Sequence, residues 1–144
     1  MRIGARVQPI PGAEITRGLP WGHFNALFLK DANALSVDPT MSKDPTEVLK
    51  AARAQGAFLI WNHPWALPGL DPAAVDLMPA EQRELLGQGL IDAVEIANSS
   101  QYSAEAFDMA LKHDLAVVSA SDVHTAIDAD KQIPRGPASH PRPW

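Results

Sequence analysis

The 144-residue chain contains no cysteine, which excludes a disulfide framework and any metal site built from thiolates. It has no apolar run near the ~20 residues of a membrane-spanning helix, and its first residues lack the apolar core of a signal peptide. Basic residues are outnumbered 12 to 17, and a net charge of −5 leaves no basic stripe for a nucleic-acid duplex. The sequence predicts no nucleic-acid or membrane partner and leaves the compartment and the oligomer open.

What is present indicates one folded unit. The chain is 46% hydrophobic and 20% charged, values that are typical of a globular protein. We expect a domain over residues 1–126 and a proline-rich tail over 127–144. Without thiolates, any metal ion must be held by histidine and carboxylate, a donor set that favours zinc, manganese or iron.

Helix and strand signals alternate through the middle of the chain, which predicts an α/β fold with a parallel sheet. Asp44-Pro45-Thr46-Glu47 combines an N-cap, a proline and a glutamate in the order that opens a helix. The apolar run that follows, Ala57 to Trp61, does not alternate, which favours a strand buried on both faces. Further helices are predicted at 79–87 and 103–113, and further strands at 91–96 and at 115–119, the latter also buried.

Two earlier apolar runs, Ala5–Ile15 and His23–Leu29, are predicted to be strands and are separated by a turn rich in glycine and proline. Glu14 lies near the end of the first run and His23 begins the second. Because the chain reverses between them, both side chains can point into one site, either a metal site or an acid–base pair. The alternative is a surface glutamate near a half-buried histidine.

Polar residues also follow each later strand, where α/β folds place their chemistry. Imidazoles and carboxylates gathered at that edge supply the nitrogen and oxygen donors of a divalent metal site. Residues that lie two positions apart at the end of a strand face the same side of the sheet. Asp122 and His124 are therefore expected to contribute to one site. The residues concerned are Asn62, His63, Glu95, Asn98, Asp122 and His124.

The interpretations of His63 and Glu95, and that of a further candidate, Arg17, have alternatives. His63 can be a loop histidine bonded to backbone, and Glu95 can be a buried acid that has a partner. Arg17, three residues after Glu14, is placed to contact a phosphate oxygen, although most exposed arginines have no such role.

The ordered segments carry a resemblance. Pro-Gly-Ala-Glu-Ile-Thr, Gly-His-Phe-Asn-Ala-Leu, Asn-His-Pro, Val-Glu-Ile-Ala-Asn and Ser-Asp-Val-His together resemble the PHP (polymerase and histidinol phosphatase) superfamily. The chain is most similar to its bacterial phosphodiesterases that act on small organophosphate diesters. The resemblance implies a distorted (β/α)7 barrel that holds two or three divalent metal ions at the strand C-termini.

Roles follow from the resemblance, residue by residue. Glu14 would be a bridging carboxylate that shares one metal with His23 and His63. Asp122 would serve a second metal, and His124 the second or a third. The implied catalytic residues are Glu14, Asp122 and His124, and the implied substrate-binding residues are Arg17, Asn62, Glu95 and Asn98.

The family pattern begins with a His-x-His pair upstream of the glutamate motif, whereas no histidine precedes His23 here. We therefore expect the C-terminal two-thirds of a PHP barrel, with at most one well-formed metal site from Glu14, His23 and His63 and weak or no turnover by the isolated chain. The leading hypothesis is metal-dependent hydrolysis of phosphoric esters, with this chain a fragment of the enzyme. The alternatives are a non-catalytic metal-binding or partner-docking remnant and a hydrolase of carboxyl or carbamate esters.

Overall fold

A computed structural model describes residues 8–16, 22–35, 44–64, 80–99 and 101–122. These residues form a six-stranded mixed sheet, three α-helices and a short 3-10 helix at Ala32–Ala34. The strands are β1 (Gly12–Thr16), β2 (His23–Leu27), β3 (Phe58–Asn62), β4 (Ala93–Asn98), β5 (Gln101–Tyr102) and β6 (Ala116–Ala120). The helices are α1 (Thr46–Ala54), α2 (Ala80–Gly87) and α3 (Ala104–His113).

The strand directions bring four strand ends to one edge of the sheet. β2 is antiparallel to both β1 and β3, whereas β3, β4 and β6 are mutually parallel in that spatial order. The C-terminal ends of β1, β3, β4 and β6 therefore share one edge with the start of β2. The predicted α/β arrangement is confirmed, but the described sheet also has three antiparallel pairings, β1–β2, β2–β3 and β4–β5. Closure into a barrel stays a prediction.

Local capping explains where two helices begin and why one ends. Ser103 is the N-cap of α3, and its Oγ accepts the Ala106 N–H at 3.1 Å. The N-cap of α1 is Pro45 and not Asp44 as predicted, although Asp44 Oδ1 accepts the Thr46 N–H at 2.8 Å. Gly56 follows α1 with φ +89°, a left-handed conformation that glycine adopts without strain. None of the helices in the described ranges is long and apolar enough to cross a bilayer.

One face of the sheet packs into the hydrophobic core. Along β2, Phe24 and Ala26 are fully buried, whereas His23 and Asn25 between and beside them are only half-buried. Phe24 lies opposite Trp61 on β3, and their rings stack with centroids 5.9 Å apart. The core joins this sheet face to the helices through Ile15, Phe24, Leu49, Leu59, Trp61, Leu85, Val94 and Met109.

Two predicted strand boundaries are wrong. The first strand begins at Gly12 and not at Ala5, since residues 8–11 are not in a strand and 1–7 lie outside the described residues. β2 ends at Leu27 because Phe28 turns the chain away with φ +65°. The two-residue strand β5 carries no sequence signal and was not predicted.

The predicted burial of the last strand is also wrong. Most residues of β6 are exposed, and 46% of Val117 is accessible. Within the described part of the chain β6 pairs with β4 and lies at the end of the sheet. An apolar run without alternation is therefore not sufficient evidence for a strand covered on both faces.

Candidate metal centre

Glu14, His23 and His63 form a cluster at the shared edge of the sheet. Each residue offers one ligand atom, and these atoms all lie within 4.8 Å of one another. His23 Nδ1 lies 3.0 Å from Glu14 Oε1, and the two imidazole rings meet edge to face with centroids 5.0 Å apart. One carboxylate and two imidazoles form a donor set that suits a divalent transition metal.

The strand register explains why these three side chains meet. On the antiparallel pair β1–β2, Glu14 lies opposite Asn25 and Thr16 opposite His23. His23 in turn lies opposite Asn62, the residue before His63. Because side chains alternate between faces, the burial of Phe24 in the core turns His23 and Asn25 toward the other face.

His63 has an unusual backbone conformation. It follows the end of β3 and precedes Pro64, and its φ is +27°, which non-glycine residues rarely adopt. Its N–H donates to Glu95 Oε2 at 2.6 Å. Its Nδ1 atom is buried and meets no hydrogen-bond partner among the described residues. A buried imidazole nitrogen without a protein partner is compatible with metal coordination.

Glu95 is a buried carboxyl beside this cluster, with 2% of its surface exposed. Besides the His63 N–H, its Oε2 accepts the side-chain amide of Asn98 at 3.4 Å. Burial raises the pKa of Glu95 above its ordinary value, and the charge of Asp122 acts in the same direction. The hydrogen bonds from His63 and Asn98 oppose this increase in the pKa.

A β-bulge allows Glu95 and Asn98 to contact each other. Residues three apart on a regular strand face opposite sides, but the register between β4 and β6 shifts between Glu95 and Ala97. Both side chains consequently line the same cavity.

The cavity next to the cluster has a volume of about 350 Å³. His63 lines it, and so do side chains from the ends of the strands. No lysine or arginine is among the described residues that line it. Its other charged and amide residues are Glu14, Asn25, Asn62, Glu95, Asn98 and Asp122.

The structure brings together most of the residues that the sequence singled out. Glu14, His23 and His63 form the cluster, and their role as metal ligands stays a prediction. Asn62, Glu95, Asn98 and Asp122 share the cavity. Arg17 and His124 lie outside the described residues.

One argument for Asp122 is wrong, and one cavity residue was missed. β6 ends at Ala120 and Asp122 has φ +53°, so the alternation of a strand does not apply to it. Asn25 lines the cavity and was not predicted. Its signal was available, because it lies two residues after His23 on the same strand and therefore on the same face.

A solved structure from Bacteroides vulgatus ATCC 8482 is similar to this chain. It is described as a two-domain protein containing a predicted PHP-like metal-dependent phosphoesterase. The two share 37% sequence identity with a TM-score of 0.64, over 84% of this chain. The match covers 33% of that protein, so this chain corresponds to about a third of its length. No protein-family model matches the chain, and no curated protein matches it.

Proposed function

We propose that this chain belongs to the PHP superfamily and contributes the metal-binding edge of a metal-dependent phosphoesterase. The proposal rests on the cluster of Glu14, His23 and His63, whose ligand atoms lie within 4.8 Å of one another. The similarity to a protein described as containing a PHP-like metal-dependent phosphoesterase supports the same class of chemistry.

The three side chains would hold a divalent ion through one carboxylate oxygen and two imidazole nitrogens. When bound, such an ion supplies a Lewis acid and lowers the pKa of a bound water, the two requirements of phosphoester hydrolysis. Glu14 and His23 already contact each other at 3.0 Å, so little reorganisation of these side chains is needed to receive it.

The rest of the cavity would bind and orient the substrate. The amides of Asn25 and Asn62 can donate hydrogen bonds to ester or phosphoryl oxygens. Asn98 also lines the cavity, and its side-chain amide contacts Glu95. Asp122 lines the cavity beyond the end of β6, where it can accept a hydrogen bond from a substrate hydroxyl or water.

The charge of the cavity favours a diester over a monoester. Three carboxylates line it, and its described residues include no lysine or arginine. A phosphate monoester carries about two negative charges at neutral pH, whereas a diester carries one and is repelled less strongly. The substrate class proposed for this cavity is therefore a small phosphodiester.

Hydrolysis assays on the manganese-loaded chain test the proposal. We expect metal-dependent release of nitrophenol from bis(p-nitrophenyl) phosphate, faster than from p-nitrophenyl phosphate or p-nitrophenyl acetate. Glu14→Gln is expected to abolish both manganese binding and hydrolysis. Glu47→Gln, at an exposed site in α1 that pairs with Lys50, is the matched control and is expected to leave both unchanged.

Each alternative has its own result in this assay. Stoichiometric manganese without hydrolysis of any ester would indicate a metal-binding remnant. Preferential cleavage of the acetate would indicate a carboxylesterase. Absence of manganese binding by the unaltered chain would overturn the proposal.

A further inference from the structure

We infer that Glu95 is a positioning residue that holds the backbone of His63 so that the imidazole faces Glu14 and His23. The inference rests on the proposed metal site but concerns a residue outside the cluster. Glu95 Oε2 accepts the His63 N–H at 2.6 Å, a short hydrogen bond from a backbone donor to a buried carboxyl oxygen.

The conformation of His63 explains why such support is needed. With φ at +27°, this residue lies outside the regions that side chains with a Cβ prefer, so its backbone is strained. The proline that follows restricts its backbone further. The N–H of His63 donates to the side chain of Glu95 on β4.

The surroundings of Glu95 keep that acceptor in place. Its side chain is 2% exposed, and Asn98 donates a second hydrogen bond to the same Oε2 atom at 3.4 Å. The β-bulge between Glu95 and Ala97 is what brings Asn98 to this side of the strand. The β-bulge and the Asn98 amide therefore keep the Glu95 carboxylate oxygen within hydrogen-bond distance of the His63 N–H.

The hydrogen bond from the His63 backbone requires an oxygen acceptor on the side chain of residue 95. It does not require that this side chain be negatively charged. Glu95→Gln retains an oxygen at the same distance along the side chain, whereas Glu95→Ala removes it. Loss of a partner that orients a metal ligand typically weakens metal binding by roughly 10–100-fold. We expect Glu95→Ala to raise the manganese dissociation constant by at least about tenfold and Glu95→Gln to change it by less than about threefold.

Isothermal titration calorimetry measures the manganese dissociation constants of the unaltered chain, Glu95→Ala and Glu95→Gln. Glu47→Ala, which removes a carboxylate from the surface, is the control. Equal affinity in Glu95→Ala and the unaltered chain would overturn the inference. Equal weakening in Glu95→Gln and Glu95→Ala would also overturn it, because the negative charge would then be the required feature.

A second measurement needs no metal and separates this inference from the proposed function. Amide hydrogen exchange of the metal-free protein, followed by NMR, reports on the His63 N–H directly. We expect protection in the unaltered chain and in Glu95→Gln, and at least about tenfold faster exchange in Glu95→Ala, with unchanged protection in β2. Equal exchange in all three would overturn the inference even if manganese binds. Protected exchange in a chain that binds no manganese would support the backbone contact while the proposed function fails.

Discussion

His23 Nδ1 lies 3.0 Å from Glu14 Oε1, so two of the three candidate metal ligands contact each other directly. They are diagonal neighbours on antiparallel strands, because Glu14 is opposite Asn25 and His23 is opposite Thr16. This contact spans a hairpin and depends only on the pairing of β1 with β2. These two members of the cluster are consequently brought together by the pairing of the strands.

Removal of one imidazole should affect metal binding specifically. We expect His23→Ala to weaken manganese binding by at least the roughly 10–100-fold that loss of an outer partner causes. His113→Ala, at the C-terminal end of α3, is the matched control and should bind manganese like the unaltered chain. Titration calorimetry on both variants measures the difference. Equal affinities would remove His23 from the site.

Stability should depend on pH through Glu95. Burial raises the pKa of Glu95 from its ordinary 4.5, so the folded chain keeps this proton to higher pH than the unfolded chain. The stabilisation is complete below about pH 4.5 and is lost as the pH rises through the raised pKa.

Urea unfolding of the metal-free chain and of Glu95→Gln measures this dependence. The free energy of unfolding of the unaltered chain should fall relative to that of Glu95→Gln as the pH rises. The variant keeps His63 and Asp122, the charged groups that face Glu95, so the difference isolates the carboxyl. A difference that stays constant with pH would contradict the prediction.

Gly12 permits the close pairing of β1 with β2. A Cβ atom at this position would lie 2.8 Å from the backbone oxygen of Ala26, which cannot move without disrupting the strand pair. We expect Gly12→Ala to lower the free energy of unfolding by about 1–3 kcal/mol. Gly87→Ala, where a Cβ meets no atom within 4 Å, should be neutral or stabilising by up to about 1 kcal/mol. Denaturant unfolding of both variants provides the comparison.

Asp92 links α1 to the two central strands. Its Oδ1 atom accepts from Arg53 at 2.8 Å, and its Oδ2 atom accepts the Leu59 N–H at 2.7 Å. We expect Asp92→Ala to cost about 2–3 kcal/mol, because it leaves these two donors without their acceptor. The exposed pair of Glu47 and Lys50 is the control, and Glu47→Ala should cost less than about 1 kcal/mol. Thermal unfolding measures the melting temperatures of Asp92→Ala and Glu47→Ala. An equal decrease in the two variants would contradict this ranking.

The parts of the fold that the sequence predicted are those set by local signals. α1 begins within the Asp44-Pro45-Thr46-Glu47 signal, although its N-cap is Pro45 and not Asp44, and α3 begins after Ser103 at the predicted place. Polar residues at the ends of apolar runs indicated where the cavity lies, because parallel strands end at one edge. The reversal of the chain between the first two apolar runs was sufficient to pair His23 with Glu14, and the two side chains contact each other.

The features that the sequence did not predict depend on contacts between distant segments. The bulge after Glu95 arises in the pairing of β4 with β6, and no residue type marks it. The left-handed conformations of His63 and Asp122 occur at residues with a Cβ, where local preference favours other conformations. The exposure of Val117 depends on the position of β6 in the sheet and not on its composition.

The alternation of β1 and β2 has an evolutionary consequence. Ile15 and Phe24 occupy one set of positions and belong to the core, while Glu14, His23 and Asn25 occupy the complementary set. Packing constrains the core-facing positions, whereas chemistry constrains the positions between them. Substitutions that alter specificity can therefore accumulate at the second set without loss of packing at the first. Descendants of such a hairpin can diversify in chemistry while they inherit the same hydrophobic pattern.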